Sequence, residues 1–347
     1  MRKKIALING SLGGGGAERF TVTLANALQK DAAFQLFLIT AQKQKNEYRL
    51  DECVNRYCIL KDRFLKDILS IRYFLKTNTI DTAVAIGIYA NLVLCVANVF
   101  LKTKVIISER NDPKHDSLSM VSKILRKLLY WRADGFVFQT KGAQSFYSRS
   151  IQKRSVVVHN PIMDNVPYKS NVCNKEIVAV GRLMPQKNYP LLLQAFAQVV
   201  KNHPDYTLRI FGQGILLEEL QMLSEELCVA DKVVFEGFSD HVHESIKDSD
   251  IFVMSSDFEG MPNSLMEAMA MGFPVISTDC PSGGPAELIQ NGENGLLVQV
   301  GDATALAKAM ETLITDQKLK QQLSKNAVTL RKTHSVDKIV SSWKKIV

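Results

Sequence analysis

Short apolar runs recur along the chain, each followed by a longer stretch in which apolar positions return every three or four residues. The first pattern suits strands buried on both faces, and the second suits helices with one buried side. In the first half this predicts strands over 4–9, 34–40, 82–86, 105–108, 135–139 and 155–159, with helices over 17–30, 63–77, 90–100, 119–132 and 141–149. The pattern restarts at 177–180 and runs through 207–211, 233–236, 251–255, 274–278 and 295–297, again with helices between. Strands alternating with helices indicate a parallel α/β architecture. Between the halves, 160–175 carries Pro161, Pro167 and many polar residues and reads as a linker. The last stretch, 334–347, reads as a closing amphipathic helix. The expectation is two Rossmann-like doubly wound domains facing a cleft, 1–165 and 166–330, with a final segment 331–347 packing back on the first.

Composition sharpens this picture. At 347 residues the chain exceeds one ordinary core, and 46% hydrophobic with 22% charged residues is the balance of a globular protein. No apolar run approaches the ~18 residues of a spanning helix. The basic opening is followed by too short an apolar run for a signal peptide. Cys53, Cys58, Cys95, Cys173, Cys228 and Cys280 are scattered without metal-type spacing, which fits reduced thiols in the cytoplasm. The net charge of +8 is uneven. Residues 1–165 hold 26 Lys and Arg against 13 Asp and Glu, whereas 166–347 hold 17 against 22. A basic first half favours an anionic partner. No nucleic-acid module accompanies it, so an anionic membrane surface is expected rather than nucleic acid.

Candidate chemistry gathers where strands end. After 251–255 comes a loop with Asp257 and Glu259, then a helix beginning near Ser264 and carrying Glu267. Carboxylates and a helix N-terminus at the carboxyl end of a strand suit a ligand with phosphate and hydroxyl groups. A plainer reading keeps Ser264 and Glu267 as a capping box. After 177–180 follow Gly181, Arg182, Lys187 and Asn188, two cations at a helix start that fit a diphosphate or merely face water. Gly212 and Gly214 after one strand, and Gly237 with Phe238 after another, form turns able to admit a flat base or nothing at all.

The first strand ends in Gly13, Gly14, Gly15 and Gly16, then Glu18 and Arg19. Such a turn can host a phosphate or a sugar, or be only a flexible connection. It lacks the Lys of a Walker loop and the last Gly of the dinucleotide fingerprint, which argues against a nicotinamide enzyme. Glu109, Arg110 and Asn111 close the strand 105–108 and are expected to face a substrate. The helix over 119–132 mixes apolar with basic residues and ends in Tyr130 and Trp131, a pattern for an interfacial helix or an ordinary surface one. Asp248 and Asp250 resemble a D-x-D metal motif but precede a strand, so they read as a turn, and no zinc spacing is present.

In order, Gly181–Arg182–Lys187–Asn188, Gly212–Gly214, Glu259 and Glu267 in an E-x7-E pair, and Gly283–Gly284–Pro285–Glu287 resemble the retaining glycosyltransferases of family 4, with the GT-B fold. Gly14, Gly15, Gly16 and Glu18 agree with it, as do Asn160 and Pro161. The resemblance implies a donor nucleotide-sugar, with a lean to UDP, held by the second domain without a metal cofactor. Arg182 and Lys187 would neutralise the diphosphate, Glu267 would accept the ribose hydroxyls, and Glu259 would hold the donor sugar. Backbone N–H groups across Gly260, Met261, Pro262, Asn263, Ser264 and Leu265 would surround phosphates and sugar, proline lending only its carbonyl. Gly212 and Phe238 would lie near the base, and Gly14, Gly15 and Gly16 would approach the diphosphate from the first domain. On the acceptor side stand Glu18, Glu109, Asn111 and Arg110, the last where many members carry a His. The acceptor implied is a polyprenyl-diphosphate-linked glycan at the inner face of the cytoplasmic membrane. A UDP-sugar 2-epimerase, or a non-catalytic sugar-nucleotide binder, would share much of this pattern.

Overall fold

The computed structural model describes residues 2–44, 46–115, 119–172 and 174–347, so Cys173 lies outside the described residues. The chain forms two compact units, 1–161 with 336–347, and 162–335.

In the first unit the order is β1 (Lys3–Asn9), α1 (Gly16–Gln29), β2 (Phe34–Thr40), β3 (Arg56–Cys58), α2 (Phe64–Thr77), β4 (Thr82–Ile86) and α3 (Ile88–Ala97). It continues with β5 (Lys104–Ser108), α4 (Met120–Leu129), β6 (Gly135–Phe138), α5 (Lys141–Ser145), α6 (Arg149–Gln152) and β7 (Ser155–Val157). The strands pair in parallel in the order β3-β2-β1-β4-β5-β6-β7. Ile5, Leu7, Ile8, Val84 and Ile106 are fully buried, as central strands covered on both faces require. Edge strand β3 was not predicted: its three residues are only half-buried, and so short an edge leaves no apolar run to read. The single helix expected over 141–149 is two, because Ser148 adopts an extended conformation between α5 and α6.

The second unit follows as β8 (Glu176–Val180), α7 (Tyr189–Asn202), β9 (Thr207–Phe211), α8 (Leu217–Glu226), β10 (Val233–Gly237), α9 (Val242–Ile246), β11 (Ile251–Met254) and α10 (Asn263–Met271). It ends with β12 (Val275–Thr278), α11 (Gly284–Leu288), β13 (Leu296–Val298), α12 (Ala303–Thr315), α13 (Gln317–Ala327) and α14 (Leu330–Thr333). Its parallel sheet has the order β10-β9-β8-β11-β12-β13. The strand order therefore reverses between β8 and β11, which are neighbours. In such sheets the loops leaving the carboxyl ends of these two strands open a crevice. This unit begins before the expected boundary at 165, because Ile162 and Val166 are buried in its core. It also keeps α14, where the Arg331 guanidinium donates to the carbonyls of Ala270, Val166 and Pro167.

The chain then returns to the first unit as α15 (Val336–Lys344). Trp343 is fully buried there, its ring 5.4 Å from that of Phe20 on α1.

On one side of the first sheet, α2 and α4 both pack against the apolar α3. Their outer faces are unusual. Leu65, Leu69 and Tyr73 on α2 are 75%, 67% and 73% exposed, and one helical turn separates each from the next. On α4, Met120, Val121, Ile124 and Leu128 are exposed, and so is Trp131 in the turn that follows. The expected aromatic pair divides, since Tyr130 is buried. Among the described residues, no helix is long and apolar enough to cross a membrane.

Candidate active site

Two loops leave the reversal point of the second sheet. One leads from β8 to α7 and contains a short 3-10 turn, Pro185–Lys187. It ends at Asn188, whose left-handed backbone (φ 44°, ψ 52°) is tolerated by asparagine better than by most residues. Asn188 Oδ1 caps α7 by accepting from the Leu191 N–H, while its Nδ2 donates to Asp257 Oδ1 at 2.7 Å. Gln186 Nε2 donates to the Phe258 carbonyl, and the Asp257 N–H donates to the Gln186 carbonyl. These bonds lace the first loop to the second.

Lys187 and Glu259 meet as a result. Lys187 Nζ lies 2.5 Å from Glu259 Oε1, which also accepts from Ser256 Oγ at 2.8 Å. Glu259 is 7% exposed, and the Ser282 hydroxyl donates to its backbone carbonyl. A half-buried ammonium against a buried carboxylate, both held by neighbours, is a preorganised charge pair. Burial, then the charge of Glu259, raises the Tyr189 phenol well above its ordinary range. Tyr189 therefore stays neutral and donates to the Gly181 carbonyl at 3.0 Å. The same two causes push the Cys280 thiol up to about 12, so it is no thiolate nucleophile.

Helix α10 starts one residue before Ser264, with Pro262 as its N-cap. Proline has no side-chain acceptor, and Ser264 lies inside the first turn, so the capping box of the plainer reading is not formed in this register. Glu267 reaches another element instead: its Oε2 accepts from His243 Nε2 on α9 at 2.9 Å. His243 escaped the sequence reading, since no spacing motif links α9 to α10. Met261 and Leu265 are buried, while Asn263 and Ser264 are half-buried. Gly284 at the start of α11 packs on this loop; a Cβ there would stand 1.8 Å from the Gly260 carbonyl oxygen.

Arg182 is exposed and makes no ion pair among the described residues. Lys187 folds back over Gly181, just past the end of β8, its Cε 3.0 Å from where a Gly181 Cβ would be. Gly212 takes a φ of 147°, and a Cβ would lie 1.9 Å from the Gly181 carbonyl oxygen, so only glycine fits there. Phe238 is 67% exposed. Asp250 is no metal ligand: it is buried, accepts from Lys320 Nζ and Tyr206 Oη, and leaves Asp248 to pair with Ser170. Among the described residues no group of His, Cys, Asp or Glu is arranged to hold a metal ion.

In the first unit Gly15 is the N-cap of α1 and offers no side-chain cap; Gly14 and Gly16 are exposed. The Glu18 carboxylate turns back onto Gly15, where a Cβ would meet its Oε2 at 2.2 Å. Glu109 and Arg110, expected to face a substrate together, turn to different surroundings just past the end of β5. Glu109 points inward and accepts from the buried Tyr130 hydroxyl. Arg110 stacks 3.5 Å above the Phe20 ring and donates to Ser108 Oγ and Asn160 Oδ1. Burial lowers the Arg110 guanidinium to about 9, and its Nη2 has no hydrogen-bond partner among the described residues. So placed, it ties α1 to the end of β5 more than it offers charge to solvent. Asn111 is exposed.

The profile described as "Glycosyl transferases group 1" matches residues 166–329. A Campylobacter jejuni protein named N-acetylgalactosamine-N,N'-diacetylbacillosaminyl-diphospho-undecaprenol 4-alpha-N-acetylgalactosaminyltransferase is 32% identical, over 97% of each chain. A second from C. jejuni is named GalNAc-alpha-(1->4)-GalNAc-alpha-(1->3)-diNAcBac-PP-undecaprenol alpha-1,4-N-acetyl-D-galactosaminyltransferase. It is 28% identical over 99% of this chain and 98% of its own. Among solved structures, Anabaena HepE in complex with UDP matches with a TM-score of 0.83 at 18% identity, over 99% of both chains, a likeness of fold.

Proposed function

The chain belongs to the group 1 glycosyl transferases, with the GT-B fold, and from that premise we propose the reaction it performs. It transfers a hexose or N-acetylhexosamine from a UDP-sugar to a polyprenyl-diphosphate-linked glycan, with retention, in the making of cell-surface polysaccharide or glycan. The observation that carries this reading is the Lys187–Glu259 pair at the reversal point of the second sheet. Lys187 and Arg182 take the diphosphate, and the first N–H groups of α10 add their dipole. Glu259 takes the hydroxyls of the donor sugar and Glu267 those of the ribose; Gly212 and Phe238 lie beside the base. As the sugar–phosphate bond breaks, negative charge grows on the leaving diphosphate, where two cations and a helix end lower the barrier without a metal. The acceptor hydroxyl attacks on the face the diphosphate leaves and passes its proton to the departing diphosphate oxygen, so UDP is released as the new glycosidic bond forms. Support comes from the relatives, whose names specify alpha-linked N-acetylgalactosaminyl transfer to undecaprenol-diphosphate carriers. The test incubates the protein with UDP-sugars and a polyprenyl-diphosphate-linked glycan. One donor should yield an alpha-linked product by NMR, at a rate that EDTA leaves unchanged. A beta-linked product would overturn retention, and loss of rate in EDTA would overturn the metal-free reaction.

The same reading puts the protein on the inner face of the cytoplasmic membrane, where such an acceptor lies. Exposed apolar residues on α2 and α4, set among Lys66, Lys76, Lys123 and Lys127 of a basic unit, suit an anionic bilayer. Co-sedimentation with phosphatidylglycerol vesicles is expected to fall about tenfold in a Leu65→Ser, Leu69→Ser, Tyr73→Ser variant, as burial of such side chains contributes roughly 1.5–3 kcal/mol each when complete. Undiminished binding by this variant would count against that surface.

A further inference from the structure

Glu267 carries a role in the proposed reaction that depends on where its carboxylate points, and the structure shows what points it. The E-x7-E spacing sets Glu267 on the second turn of α10, half-buried, with a long and flexible side chain. Left alone, such a side chain samples several rotamers and loses entropy on binding. His243 removes that freedom: its Nε2–H donates to Glu267 Oε2 at 2.9 Å. A carboxylate only accepts, which fixes the donor in this pair. The side chain of His243 is 25% exposed and that of Glu267 12%, so the bond is largely shielded from water. His243 sits in the first turn of α9, on the connection that leaves β10 through the exposed Phe238. One connection thus carries both the aromatic ring expected beside the base and the group that orients the carboxylate expected on the ribose.

We propose that His243 is a positioning residue for nucleotide binding, which holds Glu267 so that its carboxylate can accept both ribose hydroxyls of the donor. The inference rests on the proposed binding of a uridine nucleotide in this unit. Carboxylates that meet a ligand are held by neighbours that lock their rotamer, and loss of the neighbour weakens binding without removing a ligand contact. The role is distinct from that of Lys187 and Glu259, which meet the diphosphate and the sugar.

Calorimetry with UDP and with 2',3'-dideoxy-UDP, on the full chain, tests it. His243→Ala should weaken UDP about tenfold, the worth of roughly one hydrogen bond, while leaving the dideoxy nucleotide unchanged. His243→Gln, which keeps a donor at similar reach, should recover most of the loss. In steady-state turnover His243→Ala should raise KM for the donor and leave kcat nearly unaltered. Equal weakening of both nucleotides, or no weakening of either, overturns the positioning role. A Glu267→Ala control separates the two levels of the argument. If that variant loses the distinction between the nucleotides and His243→Ala does not, the inference alone falls. If neither nucleotide binds the unaltered protein, the donor reading falls, and the inference with it.

Discussion

Glu259→Ala is expected to lower acceptor-dependent turnover about 10²–10³-fold, the cost of removing one preorganised polar group from a transfer site. The carboxylate is buried and held by Ser256 and Lys187, and the Ser256 bond would keep it in place when Lys187 turns to a bound diphosphate. In the proposed reaction alanine would remove the contact to the sugar and leave the nucleotide contacts in place. UDP affinity should therefore hold or rise, because Lys187 loses the anion that neutralises it in the free protein and faces the diphosphate alone. Turnover measured beside calorimetric UDP binding checks both halves. A variant with full turnover would remove Glu259 from the reaction.

Lys187→Ala should cut kcat/KM by a similar factor, about 10²–10³, for a different reason. In the proposed reaction the ammonium would meet charge that grows as the diphosphate leaves, so the loss should appear in kcat, and the ground-state diphosphate should also bind less well. UDP affinity falls here, the opposite of the Glu259 variant. Lys187→Arg should not recover the rate. The lysine stem lies against Gly181, where its Cε is 3.0 Å from a notional Cβ, and a planar guanidinium does not take up that path. A rate restored by arginine would show that charge alone suffices.

Much of this centre was legible in the sequence, because strand, loop and helix signals fixed which residues end β8 and β11. Once the strand order reverses between those two, the loops with Lys187 and Glu259 must emerge side by side. What could not be read was the pairing inside the loops, which depends on Asn188 and Gln186 bridging to Asp257 and Phe258. The plainer capping-box alternative at Ser264 fails because the helix starts a residue earlier, and the partner Glu267 takes instead, His243, comes from a distant element. Glu109 and Arg110 looked alike as adjacent charges, yet one turns into the core around Tyr130 and the other onto Phe20. On α2, Leu65, Leu69 and Tyr73 have the period of a buried face, and only the structure shows that Ile71, Phe74 and Leu75 are the residues facing the core. Periodicity finds a stripe but cannot say whether protein or lipid covers it.

The central claim is that the site transfers a sugar to an acceptor. Its most direct measurement is UDP release from a panel of UDP-sugars, with and without a polyprenyl-diphosphate-linked glycan. Release from one donor is expected, dependent on the acceptor and lost in Glu259→Ala. Release that proceeds equally well without acceptor, as an epimerase would give, contradicts it.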